Sequence, residues 1–320
     1  MSQSFLYQSN DANAPTLCGV AGSLKNLLKF VLVDGYGTKS GLGWTLEYEV
    51  GNDAIFRNDS ITGTGMFVKF SENIDGANIT TVNTYDVANG IDILGNGMIK
   101  DGYIRHSPVA STTPYPWKII GDNKAIILII KATDGGPPAD TVKFIYFIGD
   151  YNPLTIDNMY NFCMLVPTNN STLYGGSAFK YKSPGSTTDE CQLMRGIDQQ
   201  VGSIKGGLMG GRQNDESAYK GSIAANPWSN YFPCPINGAY QLFPVYIHTS
   251  QGMIGTVPGI FTTFLPASDG TGNSLPYIET VLSDKIIHNV PVVVDFDDFQ
   301  HNGWNNRSYL SFVSGEGFRL

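Results

Sequence analysis

The sequence predicts a mainly β fold, an antiparallel sandwich or barrel-like body that carries one N-terminal amphipathic helix. Three observations predict it. Apolar residues follow a helical period of 3.6 only once, near the N-terminus, and alternate with a period of 2 afterwards. Short β-prone runs are separated by turn pairs such as Asp75-Gly76, Asn89-Gly90, Asn96-Gly97, Asp101-Gly102 and Gly121-Asp122. Hydrophobic residues make up 42% of the 320 and charged residues only 15%, so the chain has a core to bury and is unlike a disordered one.

The helix is predicted over 23–34. Leu24, Leu27, Leu28, Val31 and Leu32 repeat at helical spacing, Ser23 stands at the N-cap and Gly35 at the C-terminal stop. Its apolar stripe needs a cover, from the rest of the fold or from a neighbour. Strands are predicted at Trp44–Val50, Met66–Phe70, Asn78–Tyr85, Trp117–Ile120, Ala125–Lys131 and Val142–Ile148. The last two read as a long hairpin through Asp134-Gly135-Gly136-Pro137-Pro138, and their apolar residues on both faces mark the centre of the body. Further strands are expected at Gln241–Thr249, Gly259–Phe264, Tyr277–Leu282 and Val290–Phe296, with the glycine-rich stretch 202–211 as irregular loop. This suggests an arm and helix over 1–40, a β domain over 41–185 and a loop-rich second β half over 186–320. The pattern is equally consistent with strands of both halves sharing one sheet.

Charge narrows the function classes. The net charge is −8, and Lys25, Lys29, Lys69, Lys118 and Lys124 are scattered singly, whereas nucleic-acid binding needs cations converging on phosphates. No membrane partner is expected, because Met1–Asn13 lacks a signal-peptide pattern and the longest apolar run, Ala125–Ile130, is too short to span a bilayer. Cys18, Cys163, Cys191 and Cys234 are widely spaced with no Cys-x-x-Cys, so buried thiols in a reducing cytoplasm are expected. Asn, Ser, Thr, Gln, Gly and Tyr must supply the polar surface, which suits packing against protein or carbohydrate.

The run Ala14-Pro15-Thr16-Leu17-Cys18-Gly19-Val20-Ala21-Gly22-Ser23-Leu24, followed by Asp34-Gly35-Tyr36-Gly37-Thr38-Lys39 and Gly43-Trp44-Thr45, resembles the opening of a family of virion structural proteins of tailed bacteriophages. Similar blocks follow in order at 206–211, 238–245 and 258–261. The resemblance implies a particle component of the head decoration, neck, tail or baseplate, present in multiple copies and bound to other phage structural proteins. Gly35 and Gly37 permit a positive φ where helix turns into strand, and Trp44 is large enough to anchor that strand on the helix. The arm before Pro15 has no evident partner, so it is expected to lie loose or along another subunit.

No catalytic pattern stands out. Gly-x-Ser-x-Gly and phosphate-loop motifs are absent, and Gly35-Tyr36-Gly37 and Gly63-Thr64-Gly65 lack the third glycine of a dinucleotide fingerprint. His106, His248, His288 and His301 are far apart; Asp92 with Asn96-Gly97 fails as a calcium loop because Leu94 and Tyr103 stand at ligand positions. No cofactor is expected. Asp295 and Asp297 share a strand face and are the weak candidates for a metal, or for the carboxylate pair of a polysaccharide depolymerase; solvated charges at a strand end are the simpler account. For protein contacts the candidates are Tyr7, Pro15, Leu24, Leu28, Trp228, Tyr231 and Phe232, with 227–233 as the leading surface. The expected function is therefore structural, with a receptor- or glycan-binding tail module as the alternative.

Overall fold

A computed structural model describes residues 3–72, 78–95, 97–107, 109–131, 142–154, 161–166, 191–195, 201–209, 243–249, 252–266, 278–282, 285–293 and 307–315. Strand β1 (Phe5–Gln8) precedes helix α1 (Ser23–Lys29), which continues into a π-helical turn over Phe30–Asp34. Next come β2 (Thr45–Val50), β3 (Asp53–Arg57), β4 (Phe67–Glu72), β5 (Ile79–Tyr85) and β6 (Gly97–Arg105). The middle holds β7 (Trp117–Gly121), β8 (Ala125–Lys131), β9 (Val142–Asp150), β10 (Asn152–Pro153) and β11 (Phe162–Leu165). The rest is β12 (Cys191–Arg195), β13 (Val201–Met209), β14 (Phe243–Thr249), β15 (Gly252–Pro266), β16 (Ile278–Leu282), β17 (Lys285–Val293) and β18 (Arg307–Gly315).

The fold is mainly β, as expected, and among the described residues the strands pair antiparallel in open sheets, with no closed barrel. Strands β2 to β6 form a five-stranded meander, and a larger sheet runs β1-β7-β8-β9-β11-β12-β13-β14-β15-β18-β17-β16 with β10 beside β15. Pairing of β11 with β12 carries this sheet across residue 185, so strands of both halves share it.

The organising element is the β8–β9 hairpin, paired from Ala125↔Gly149 to Lys131↔Val142. Ile126, Leu128, Ile130, Phe144, Tyr146 and Ile148 point to one side, where the helix and the meander residues Phe56, Val68, Phe70 and Val82 cover them. Ala125, Ile127, Ile129, Ile145 and Phe147 point to the other, where Val245, Ile247, Ile254, Val257 and Ile260 of β14 and β15 close over them. The hairpin is thus a wall between two cores. That is why its sequence is a continuous apolar run with no polar alternation. Each large aliphatic side chain buried there contributes about 2 kcal/mol of transfer free energy.

The helix starts and stops where predicted but differs inside. Gly22, at φ 86°, occupies the N-cap, and Ser23 instead accepts from the Cys18 amide through Oγ (2.8 Å) and donates to the Thr16 carbonyl (3.3 Å). The last turn widens to a π-helix, closed by Gly35 N–H donating to the Phe30 carbonyl at 2.7 Å. Gly35 (φ 76°) and Gly37 (φ 60°) take the expected positive φ. Trp44 is buried with the helix leucines, and its indole N–H donates to the Asp122 carbonyl at 3.1 Å.

Two stretches read as turns or loop are strands. Gly97–Arg105 runs through Asp101-Gly102 as β6; Gly102 is there for close approach, since a Cβ would lie 2.6 Å from Val166 Cγ2. The stretch 201–209 pairs with β12 and β14 as β13. Glycines supply no side chain to reveal a period of two, so its strand character is invisible in the pattern.

The β6 end is pinned to the wall by one hydroxyl. Tyr146 Oη accepts from the Arg105 amide (3.0 Å) and donates to the Arg105 carbonyl (3.1 Å). Tyr146→Phe strands both backbone groups in a buried place and should cost about 2 kcal/mol, read as a shifted urea midpoint. An unchanged midpoint contradicts this role.

Candidate functional site

The block that carries the resemblance, from the arm to Trp44, folds as one unit held by a polar clasp. Strand β1 pairs with β7 from Phe5↔Gly121 to Gln8↔Lys118, so the arm is neither loose nor laid on another subunit. The reason is local. Tyr7 points inward, only 2% exposed, with its ring edge-on to Tyr36 at 5.7 Å, and Tyr36 is in turn edge-on to Trp117 at 6.3 Å. The Tyr7 hydroxyl donates to the Ser40 carbonyl, and Trp117 Nε1–H donates to the Pro15 carbonyl at 3.0 Å.

The outer edge of β1 is then closed by side chains and by one backbone bridge. Asp11 Oδ2 accepts from Lys39 Nζ (2.6 Å), the Tyr36 hydroxyl (2.8 Å) and the Gln8 amide (2.9 Å). Lys39 Nζ also donates to the Leu6 carbonyl at 2.7 Å, and Ser4 exchanges two 3.2 Å backbone hydrogen bonds with Gly315 beyond it. Burial opposes ionisation of Asp11, but the bonds from Lys39, Gln8 and Tyr36 outweigh it and hold the carboxyl below its usual range. Burial and the nearby Asp11 push the Tyr7 and Tyr36 phenols up, so both stay protonated donors. An edge covered in this way is poorly available for pairing with another chain.

A second set of contacts holds the start of α1. Glu72, buried on β4, accepts the Gly22 amide on one oxygen and the Lys25 amide on the other, the latter at 2.7 Å. Lys25 Nζ reaches the Gly51 carbonyl (2.6 Å) and Glu49 (2.9 Å). Burial pushes the Glu72 carboxyl up to about 7, against the pull of the Lys25 and Gly22 amides and the Lys25 charge, with Asp53 adding to the rise. Beneath the same segment, His106 is fully buried and its Nδ1–H donates to the Cys18 carbonyl at 2.9 Å; burial pushes it down to about 4.

The two groups respond to pH in opposite directions. Stability from neutral Glu72 is complete below its unfolded value of 4.5 and is lost as pH rises through 7. Stability from neutral His106 is complete above 6.5 and is lost as pH falls through 4. Glu72→Gln is expected to flatten the fall in stability between pH 4.5 and 7 while leaving the acid limb unchanged. Denaturant midpoints measured across that range check it, and parallel curves for variant and parent contradict it.

A third knot ties the meander to the wall. Asp150, at the end of β9, accepts from Asn58 Nδ2 (2.8 Å), Thr64 Oγ1 (2.6 Å) and the Thr64 amide (2.9 Å). Asp59 beside it accepts from Asn123 Nδ2 at 2.6 Å, from Thr62 Oγ1 at 2.6 Å and from the Ile61 amide at 2.8 Å. These carboxylates are fasteners, each joining segments far apart in sequence.

Of the contact candidates, Tyr7, Leu24 and Leu28 lie in the chain's own core, so the surface a partner would use is already spent. The helix stripe is covered by the body, which settles the choice left open above. Pro15 is half-buried under Trp117. Tyr115, Trp117 and Tyr151, which also neighbour turn residues in the sequence, are buried too. Trp228, Tyr231, Phe232, Asp295 and Asp297 lie outside the described residues. Of the cysteines, Cys163 is a buried free thiol and Cys18 a half-buried one. Among the described residues, no three metal-ligating side chains cluster.

Sequence reasoning missed Asp11, Lys39, Glu72 and Asp150. Only Asp11 carried a signal, as an acid spaced for a local turn with Gln8. The other three find partners that only the fold brings near. No family model matches the chain, and no curated protein matches it.

Proposed function

We propose that this chain is a structural component of a tailed-phage virion, acting through protein–protein contacts in a symmetric assembly and without turnover of a substrate. One observation supports the reading above the others. The residues resembling that family, Ala14–Leu24, Asp34–Lys39 and Gly43–Thr45, come together as one interlocked piece, with Gly35, Gly37, Tyr36, Lys39 and Trp44 each in a position that needs that residue type. The resemblance therefore falls on residues that determine a fold. The low-charge surface agrees with a role in packing, because little hydration has to be stripped from it when copies meet. Modest affinity per contact suffices when many copies bind one lattice. The partners are other phage structural proteins and further copies of this chain, and the location is the virion after synthesis in a bacterial cytoplasm.

Immunogold labelling of purified particles with an antibody to this chain tests the reading. Gold at a fixed place on each particle is expected and also tells head from neck from tail. Label confined to the soluble fraction of the lysate overturns it.

A further inference from the structure

The loop between β5 and β6 folds back over the outer face of the meander. Ala88 and Leu94 pair across it as an isolated bridge, and together with Ile91 they pack on Tyr48, Ile55, Phe67 and Tyr85. Lys69 fastens it from β4, donating to the Ile91 carbonyl (3.0 Å) and to Asp92 (3.1 Å). At its tip stands Asn89-Gly90, where the Asn89 amide donates to the Ile93 carbonyl at 2.8 Å.

Three features of this tip belong together. The Asn89 side chain is exposed and has no hydrogen-bond partner among the described residues. The Gly90 amide also donates to none of them, so its nitrogen is uncommitted. The backbone, moreover, does not call for glycine here. Gly90 is not among the glycines at positive φ, unlike Gly35, Gly37, Gly51 and Gly65, and a Cβ built on it would meet only the Ile93 side chain at 3.4 Å. Glycine costs backbone entropy wherever it is not required, and what it supplies at this tip is an unshielded amide beside a free carboxamide.

We propose that Asn89 is a modification site that converts without an enzyme to aspartate and isoaspartate through a cyclic imide formed with Gly90. The Gly90 nitrogen bonds to Asn89 Cγ, the Cγ–Nδ2 bond breaks, and ammonia leaves carrying the amide proton. Solvent water then opens the ring at either carbonyl. Opening at the main-chain carbonyl leaves the chain running through Cγ, one carbon longer; opening at Cγ gives ordinary aspartate. Both products add a negative charge to a loop that already holds Asp86 and Asp92. The isoaspartyl product also lengthens a loop clamped at Ala88 and Leu94. The lengthened loop draws Ile91 and Asp92 off Lys69 and bares Ile55 and Phe67. The result is a slow, one-way change in the outer face of the meander.

The test follows the full-length protein at mildly alkaline pH by peptide mapping, with enzymatic methylation of isoaspartate as the readout. A free peptide of residues 84–95 is the reference. Conversion of Asn89 in the folded chain is expected within about tenfold of the free peptide, a barrier difference under ~1.4 kcal/mol. Gly90→Ala is expected to slow it at least about tenfold, again ~1.4 kcal/mol of barrier, with an unchanged melting temperature because the Cβ fits. Aged parent protein should bind an apolar dye that aged Asn89→Gln does not. Asn89 found intact in the folded chain once the free peptide has converted overturns the proposal, as does Gly90→Ala reacting at the parent rate. Readout is residue by residue, so the pairs Asn96-Gly97, Asn237-Gly238 and Asn302-Gly303 do not confuse it.

Discussion

Tyr7→Ala is expected to destabilise the protein by about 3–5 kcal/mol, the range for truncating a buried aromatic residue. The ring leaves a cavity between Tyr36, Lys39 and the β7 face, and the hydrogen bond to Ser40 is lost with it. Deleting residues 2–12 should do more, since it also removes Asp11 and uncovers one edge of β7. Tyr7→Phe separates the parts: it keeps the packing and should cost about 1 kcal/mol for the lost hydrogen bond. Urea midpoints for the three variants check the order. If the deletion leaves the midpoint where it was, the arm is dispensable to the fold and the clasp has no structural role.

The second large effect is expected at Asp150. Asp150→Ala takes the close acceptor from the Thr64 hydroxyl and the Thr64 amide, and the shortest of three from Asn58 Nδ2, which keeps the Lys124 carbonyl and Thr64 Oγ1 at 3.2 Å, in a place where Asp150 itself is only 1% exposed. With a penalty of about 1–3 kcal/mol per stranded buried group, partly relieved by entering water, a loss of about 3 kcal/mol follows. Asp150→Asn keeps the shape and one acceptor oxygen and should lose roughly half of that. A double variant with Thr64→Val should lose less than the sum of the singles, because both changes break the same bonds. Strict additivity of the two would show that this network is not one unit.

The two edits differ in how far the sequence could have announced them. The β8–β9 hairpin was legible because six isoleucines and a leucine with Phe144, Tyr146 and Phe147 leave no other way to bury such a run. The helix was legible from its leucine spacing, and its stop from Gly35. Strand β1 was not, because Phe5-Leu6-Tyr7 is three residues long between polar flanks, and what makes it a strand is the waiting edge of β7. Asp150 and Glu72 look like ordinary strand-end acids; only after β3, β4, β9 and α1 assemble do the amides that claim them converge. Local pattern reveals elements, whereas buried polar fasteners are a property of the assembled packing.

The wall shared by two cores has a consequence for how the chain reaches its native state. Ala125–Ile130 carries no charge and no proline, and neither of its faces is meant to meet water. During synthesis the strands that cover one of those faces, β14 and β15, emerge more than a hundred residues later than β8. Until they arrive, the nascent protein presents a sticky, strand-prone segment of the type that seeds aggregation. Yield in a recombinant host should therefore depend on translation speed and on holdase chaperones more steeply than the stability of the finished molecule would suggest.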